Sequence, residues 1–457
     1  MSNSIGTEFS GWRLDAKFSD PVEIPTLATV DVVVVGAGAS GVAAATIAAE
    51  QGLSVVLVEK YGFCGGAAVA GMSGTICGLY LAQDEPTNPE QIVFGFTERF
   101  ARLLDKRGGL TGPQLYGKTW AKAHDPLLWR EVADTFLTAA LVRILFHTSV
   151  VGVLTDGDVH TGVVIESNAG RSLIRAARTI DASGDAAVIA RAGHGTVFGD
   201  GGSIQNPTMF FRLGGVDQTA FDDYYGEDSI CPPKVTDSIL KAREGGLDLP
   251  RDKIWTFRTN HDGELLVNAT RLTAADGRML NVIDPEDFTL AEVLGRQQVR
   301  DYARFLVEQV PGCSGAYVID TGVEAGIRQT RSILGVETLS DGDVVAARKR
   351  KDGIARSAWP IEVHSGERPK LHWILNDYYE VPYLTLVPLR GENVIVAGRC
   401  LSAQHQALAS ARVTAQCFEY GQAAALATIE SLRHDVAYRD VPGSEVRAAM
   451  VQHGSDL

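Results

Sequence analysis

The chain has 457 residues, 45% hydrophobic and 21% charged, the balance of a globular protein with room for two joined domains. Its net charge of −14 argues against nucleic acid or an anionic membrane as partner. Six cysteines, Cys64, Cys77, Cys231, Cys313, Cys400 and Cys417, lie scattered with no CxxC pair, which excludes an iron–sulfur ligand run and offers no disulfide framework.

Residues 1–28 read as a polar arm of mixed charge, without the basic start and apolar stretch of a signal peptide. No stretch reaches the roughly 18 apolar residues that a membrane-spanning helix needs, so a soluble cytoplasmic protein is expected. Val32–Val35 reads as a buried parallel strand, being β-branched throughout with no polar alternation. Gly36-Ala37-Gly38-Ala39-Ser40-Gly41 follows: a sharp turn, a close backbone approach for a pyrophosphate, and tight packing of the next helix on the strand. The spacing predicts a helix over Ala43–Glu50, a stop at Gly52 and a second strand over Leu53–Val58. Glu59 ends that strand, where a carboxylate accepts hydrogen bonds from ribose hydroxyls and repels a 2′-phosphate. NADP is disfavoured, and NAD and FAD both remain open at this point.

Asn88-Pro89 predicts a helix running to Lys106 before Gly108-Gly109, and Asp125-Pro126 predicts another to about Val142. Leu145 to Gly170 reads as short strands with a turn at Asp156-Gly157. From Asn206 to Pro388 the pattern is isolated strands, loops and one strong helix, opened by a capping box at Thr289-x-x-Glu292 and closed by Pro311-Gly312. Ala411–Leu432 is predicted helical.

Three segments bear on the cofactor. Gly62-Phe63-Cys64-Gly65-Gly66-Ala67 supplies a second glycine pair for the far side of a long cofactor, and Asp181-Ala182-Ser183-Gly184-Asp185 ends a strand in a small-residue turn. Val394–Arg399, with Ser410-x-Arg412-Val413 beyond it, places a helix N-terminus and Arg412 where they can stabilise negative charge on a reduced flavin.

Joined by Gln205-x-Pro207-Thr-Met-Phe-Phe-Arg212-Leu-x-Gly215, Gly326-Ile-Arg328-Gln-Thr-Arg331, Trp359-Pro-Ile-Glu362-Val-His364 and Gly398-Arg399-Cys-Leu-Ser402-Ala-x-His405, these motifs make a chain that resembles the FAD-dependent oxidoreductase family. That family lies in the glutathione-reductase-like superfamily, distantly similar to succinate dehydrogenase and fumarate reductase flavoproteins, and the resemblance covers residues 29 to 430. It implies an α/β fold: a Rossmann-like FAD-binding domain with a parallel sheet, β-meander and helices, assembled from residues 29–82, 131–205 and 385–435. A helical insertion or cap at 83–130, an inserted α+β substrate domain at 206–384 and a C-terminal tail at 436–457 complete it.

Carried over by position, Gly36, Gly38, Ala39, Ser40, Gly41, Glu59, Lys60, Gly65, Gly66 and Ala67 would hold the adenosine and pyrophosphate. Val150 would sit near the adenine, with Ala182, Ser183 and Gly184 close by, and Gly398, Arg399, Ser410, Arg412 and Val413 would meet the ribityl chain and flavin. Gln329, Ser332 and Ala425 depart from the family's more usual Glu, Arg and Gly, which bears on any catalytic role of the Arg328 segment but not on FAD binding.

With the electron chemistry on the isoalloxazine, the chain must place a substrate bond and manage protons. His364, His405 and Tyr383 are the candidate proton handlers, and Arg328 and Arg331 can clamp a carboxylate through a planar fork. The structural alternatives are hydrogen-bonding roles for the histidines, ion pairs to Glu324 or Glu337 for the arginines, and simple packing for Cys64. His364 and His372 lack a companion at metal spacing, so no metal is expected.

A single dinucleotide fingerprint, with neither a redox CxxxxC nor a hydroxylase motif, points to an oxidase or dehydrogenase. It would move a hydride between a small polar metabolite and the flavin N5, its electrons going to oxygen or a carrier. A flavoenzyme using reduced FAD for a non-redox isomerase or lyase reaction is the alternative, with a structural FAD-binding subunit third. A homodimer is left open.

Overall fold

The computed structural model describes residues 24–364 and 370–457, so most of the expected N-terminal arm lies outside the described residues. Its organising element is a seven-stranded sheet. Thr26–Val35 pairs in parallel with Val55–Val58 on one side and with Gly170–Asp181 on the other, and Arg143–Leu145 extends the parallel edge. Gly170–Asp181 does two jobs along its length. Its first half runs antiparallel to Val159–Ser167 in a meander with Ser149–Asp156, while its last residues, Thr179 to Asp181, pair in parallel with Val394–Val396. Residues more than 200 positions apart thereby end side by side, so that Val35, Val58, Asp181 and Val396 bring four strand ends to one crevice.

Alternation along the strands divides their side chains between two cores. Val32 and Val34 face a core with the helices Ala39–Glu50 and Thr414–His434, while Val33 and Val35 face the meander and the short helix Ala187–Arg191. The two long helices approach closely because alanines line them and because Gly421 lies over the start of the first. A Cβ at Gly421 would stand 2.1 Å from Ser40 O.

A separate core gathers around a four-stranded antiparallel sheet, ordered Trp255–Arg258, Leu265–Asn268, Phe211–Gly214 and Tyr317–Thr321, backed by the helix Pro285–Gln309. Strands Gly353–Ser357 and Tyr379–Pro382, at the end of the 206–384 stretch, put Ile354, Ala355, Tyr379 and Val381 into the first core instead.

Several element boundaries differ from the sequence expectation. The first helix starts at Ala39, not Ala43, because small residues let it begin directly on the glycine turn. The helix expected from Pro89 begins at Gly95, since the chain before it is held by the bridge Tyr80 to Gln91 and by Ile92 N donating to Leu79 O. Pro285–Gln309 is capped by Asp284, whose carboxylate accepts from Glu286 N and Asp287 N, and not by the Thr289 box. Thr289 donates to Pro285 O within the helix, while Glu292 accepts from Ala325 N. Two further helices, Gln218–Tyr225 and Pro233–Glu244, accompany it. The C-terminal helical run breaks at Arg412 and Val413 into His405–Ala411 and Thr414–His434. The tail carries another helix, Gly443–Gln452.

Candidate active site

A cleft of about 690 Å³ opens at the strand ends, within the size range of cofactor sites. It is lined by Gly36, Gly38, Ala39, Ser40, Glu59, Lys60, Gly65, Gly66, Ala67, Val150, Ala182, Ser183, Gly184, Gly398, Arg399 and Arg412. The sequence scatters these residues over more than 370 positions and the fold collects them.

Gly41 stands behind the wall: its Cα lies against the turn, where a Cβ would come within 1.8 Å of Gly36 O. Gly65, at φ 144°, donates its N–H to Ala37 O and brings Gly66 against Gly38, where a Cβ on Gly66 would stand 3.0 Å from Gly38 Cα. Glu59 is buried and accepts from Ala37 N at 2.7 Å and Tyr61 N at 2.9 Å. Burial pushes its carboxyl up, against the pull of those N–H groups and Lys60.

On the far wall, Arg399 donates to Asp185 at 2.6 Å and to Thr330 at 2.8 Å. Burial pushes Asp185 up, but the charge of Arg399 and the hydrogen bonds from Thr330 and Arg399 outweigh it and hold the carboxyl below its ordinary range. Arg331 also lines this cleft, donating to Asp185 O, and so stands apart from Arg328. Glu324 closes one rim through Lys60 at 3.0 Å and the Tyr61 hydroxyl. Glu337 pairs with Arg350, so neither acid takes the arginines for which a structural ion pair was the alternative.

A smaller cavity of about 130 Å³ abuts the cleft and shares Ala67, Ile327, Arg399, Arg412 and Thr414 with it. Arg328, His364 and Val413 line it, joined by Tyr116, Thr208, Phe210, Phe257, Asn268, Trp359 and Glu362. Arg251, behind the wall, donates to His364 Nδ1. A guanidinium only donates, so Nδ1 must accept and the proton sits on Nε2, which faces Glu362 Oε2 at 3.4 Å. Burial, then the charges of Arg328 and Arg251, push His364 well below its ordinary value in spite of Glu362. Burial raises Glu362, but the electrostatic pull of His364, then the hydrogen bonds from His364 and Tyr116 and the charge of Arg412, hold it low. The result is a neutral imidazole in a fixed tautomer beside a carboxylate, a group that can offer the proton on Nε2 but has no free nitrogen left to take one.

Three expected site residues are placed elsewhere. Tyr383 is fully buried and spends its hydroxyl on Tyr438 O, because its 3-10 turn packs against the C-terminal tail. Ser410 is held inside its helix by Trp359 O and Tyr379, and lines neither cavity. His405 opens that helix, partly buried and outside both linings; burial lowers it. In the other direction, Tyr116, Arg251, Asn268 and Glu362 were not singled out. Only Glu362 had a local signal, since its two-residue spacing from His364 puts both on one strand face. Among the described residues, the group with metal-ligand geometry is Glu430, His434 and Glu445, which line neither cavity, with His434 and Glu445 exposed.

Residues 31–450 match the family described as FAD dependent oxidoreductase. The chain belongs to that family. Its members are enzymes, FAD is the cofactor, and the paired glycine loops, the carboxylate at the strand end and the cleft volume fit that group. Over 64 residues the chain is 45% identical to urocanate reductase of Eggerthella lenta, a match that spans 14% of this chain and 11% of that protein. The geranylgeranyl bacteriochlorophyll reductase-like protein of Thermoplasma acidophilum superposes with a TM-score of 0.47 at 14% identity, covering 93% of this chain and 82% of its own. A p-nitrophenol 4-monooxygenase of Pseudomonas putida does so with a TM-score of 0.47 at 13% identity, covering 94% and 91%. No helix among the described residues is long and apolar enough to cross a membrane.

Proposed function

We propose that the protein transfers a hydride between the N5 of FAD, bound in the larger cleft, and a small polar metabolite held in the smaller cavity. One observation carries the reading: the two spaces share a wall at Ala67, Ile327, Arg399, Arg412 and Thr414, so a substrate in one would adjoin a cofactor held in the other. FAD supplies the electron chemistry when bound. The chain's own residues supply the rest: Arg399 and Arg412 set positive charge at the seam, Tyr116 and the aromatic wall exclude water, and His364 holds a proton at Nε2. Gly36, Gly38, Gly65 and Gly66 would take the pyrophosphate and Glu59 the ribose.

The test is anaerobic addition of hydroxy acids, amino acids and cyclic amines to the FAD-loaded protein while the oxidised-flavin band is recorded. Bleaching by one chemical class supports the reading. A protein that remains colourless and takes up no added FAD overturns it.

A further inference from the structure

We propose that the smaller cavity takes an organic monoanion: one carboxylate joined to a flat, apolar body. The proposal rests on the oxidoreductase reading and names its substrate class. The arginines and acids lining the cavity are Arg328, Arg399, Arg412 and Glu362. Arg399 is matched by Asp185 at 2.6 Å. That leaves two guanidinium groups against one carboxylate, and Arg251, 2% exposed behind His364, adds a third. All three direct N–H groups at neutral acceptors: Arg328 at Asn206 O and Asn268 Oδ1, Arg412 at Gln205 Oε1, Arg251 at His364 Nδ1 and Asn268 Oδ1. Buried cations in excess of their counterions are costly, and an anion relieves that cost.

One orphaned polar atom of the lining points the same way. Arg412 Nε is a buried donor without an acceptor among the described residues; Arg251 Nε, Gln205 Nε2, Asn206 Nδ2 and Asn206 Oδ1 are also unpaired but belong to residues outside the lining. A carboxylate brings acceptors, whereas an amine brings more donors and more positive charge. The aromatic part of the lining fixes the rest of the molecule. Tyr116, Phe210, Phe257 and Trp359 cluster there, with the Tyr116 and Phe257 rings 11° from parallel and the Trp359 ring 4.9 Å from that of Tyr116. A second charge pressed on those rings would be desolvated without a partner, so a dicarboxylate does not suit the cavity and a planar apolar body does.

The oxidised holoenzyme is titrated with benzoate, benzamide, benzylamine and succinate, following both flavin absorbance and the thermal midpoint, neither of which needs turnover. Benzoate is expected to move both saturably and to bind about tenfold or more tighter than benzamide or succinate, with no response to benzylamine. Arg328→Gln is expected to weaken benzoate about 100-fold at unchanged FAD content; if that variant does not fold, the wild-type series decides alone. Benzamide or benzylamine matching benzoate, or no benzoate response, overturns the anion. Succinate binding more tightly than benzoate overturns the apolar body. Loss of FAD binding overturns the oxidoreductase reading instead, and the thermal response to benzoate still scores the cavity.

Discussion

His364 illustrates how a histidine near neutral pH can be barred from acting as a cation. Its Nδ1 accepts from Arg251, and protonating it would set two donors against each other beside Arg328. Because its native pKa lies well below the ordinary 6.5, the ring should keep its neutral Nε2–H form through the pH range in which an ordinary histidine titrates. Nitrogen NMR of the labelled ring is expected to show that single tautomer across the range. A titration centred near 6.5 would sink the assignment. Arg251→Met removes a repelling charge and a donor to Nδ1, so the same titration should then move up toward the ordinary value. Gly41 presents the opposite case of a residue whose role is to be absent: Gly41→Ala brings a methyl within 1.8 Å of Gly36 O. The turn must shift, and the purified variant is expected to carry less than half the wild-type FAD by absorbance ratio.

The helix Thr414–His434 couples the cleft to the tail. Its buried Glu419 accepts from Ser455 Oγ at 2.8 Å and lies 3.5 Å from Thr97 Oγ1. Burial pushes its carboxyl up to about 8, with those hydrogen bonds countering only in part. The native state therefore holds a proton that the unfolded chain releases near the ordinary 4.5. The contribution is fully present below that value and is lost as pH rises toward about 8. Glu419→Gln removes the dependence, so its stability relative to wild type should be more favourable at about pH 8.5 than at about pH 5 by about 1–3 kcal/mol in denaturant melts. An equal difference at the two pH values would disprove it. This helix also shows why boundaries were less legible than elements. Alanine-rich composition marked the whole run as helical, yet Val413 adopts an extended ψ of 163° and splits it. The same misplacement moved the start of Pro285–Gln309 from Thr289 to Asp284, because either residue precedes an acceptable first turn and only packing chooses between them.

Across the whole molecule, legibility followed sequence distance. The run from Val32 to Glu59 was readable because strand, turn, helix, strand and acid are consecutive, each with its own local requirement. The smaller cavity was not, because Tyr116, Arg251, Asn268 and Glu362 come from four segments whose local patterns say nothing of one another. The same convergence brings Val282, Ile283, Phe288 and Glu324 into the lining of the larger cleft, together with Glu59 and Tyr61. Glu324 is the tie across that rim, taking Lys60 at 3.0 Å and the Tyr61 hydroxyl while its side chain is 11% exposed. Lys60 is 51% exposed, so solvent screens the ion pair and it contributes at most about 1 kcal/mol. The tyrosine contact, half-buried, is screened less. Glu324→Gln keeps an acceptor for the hydroxyl and removes the charge, whereas Glu324→Ala removes both. FAD titration of apoprotein is expected to show little change in Kd for Gln and a rise of up to about tenfold for Ala, mostly in the dissociation rate. If Gln weakens FAD as much as Ala, charge rather than the tyrosine contact holds the rim. If neither does, the rim plays no part in retaining the cofactor, and the glycine loops and Glu59 hold it unaided.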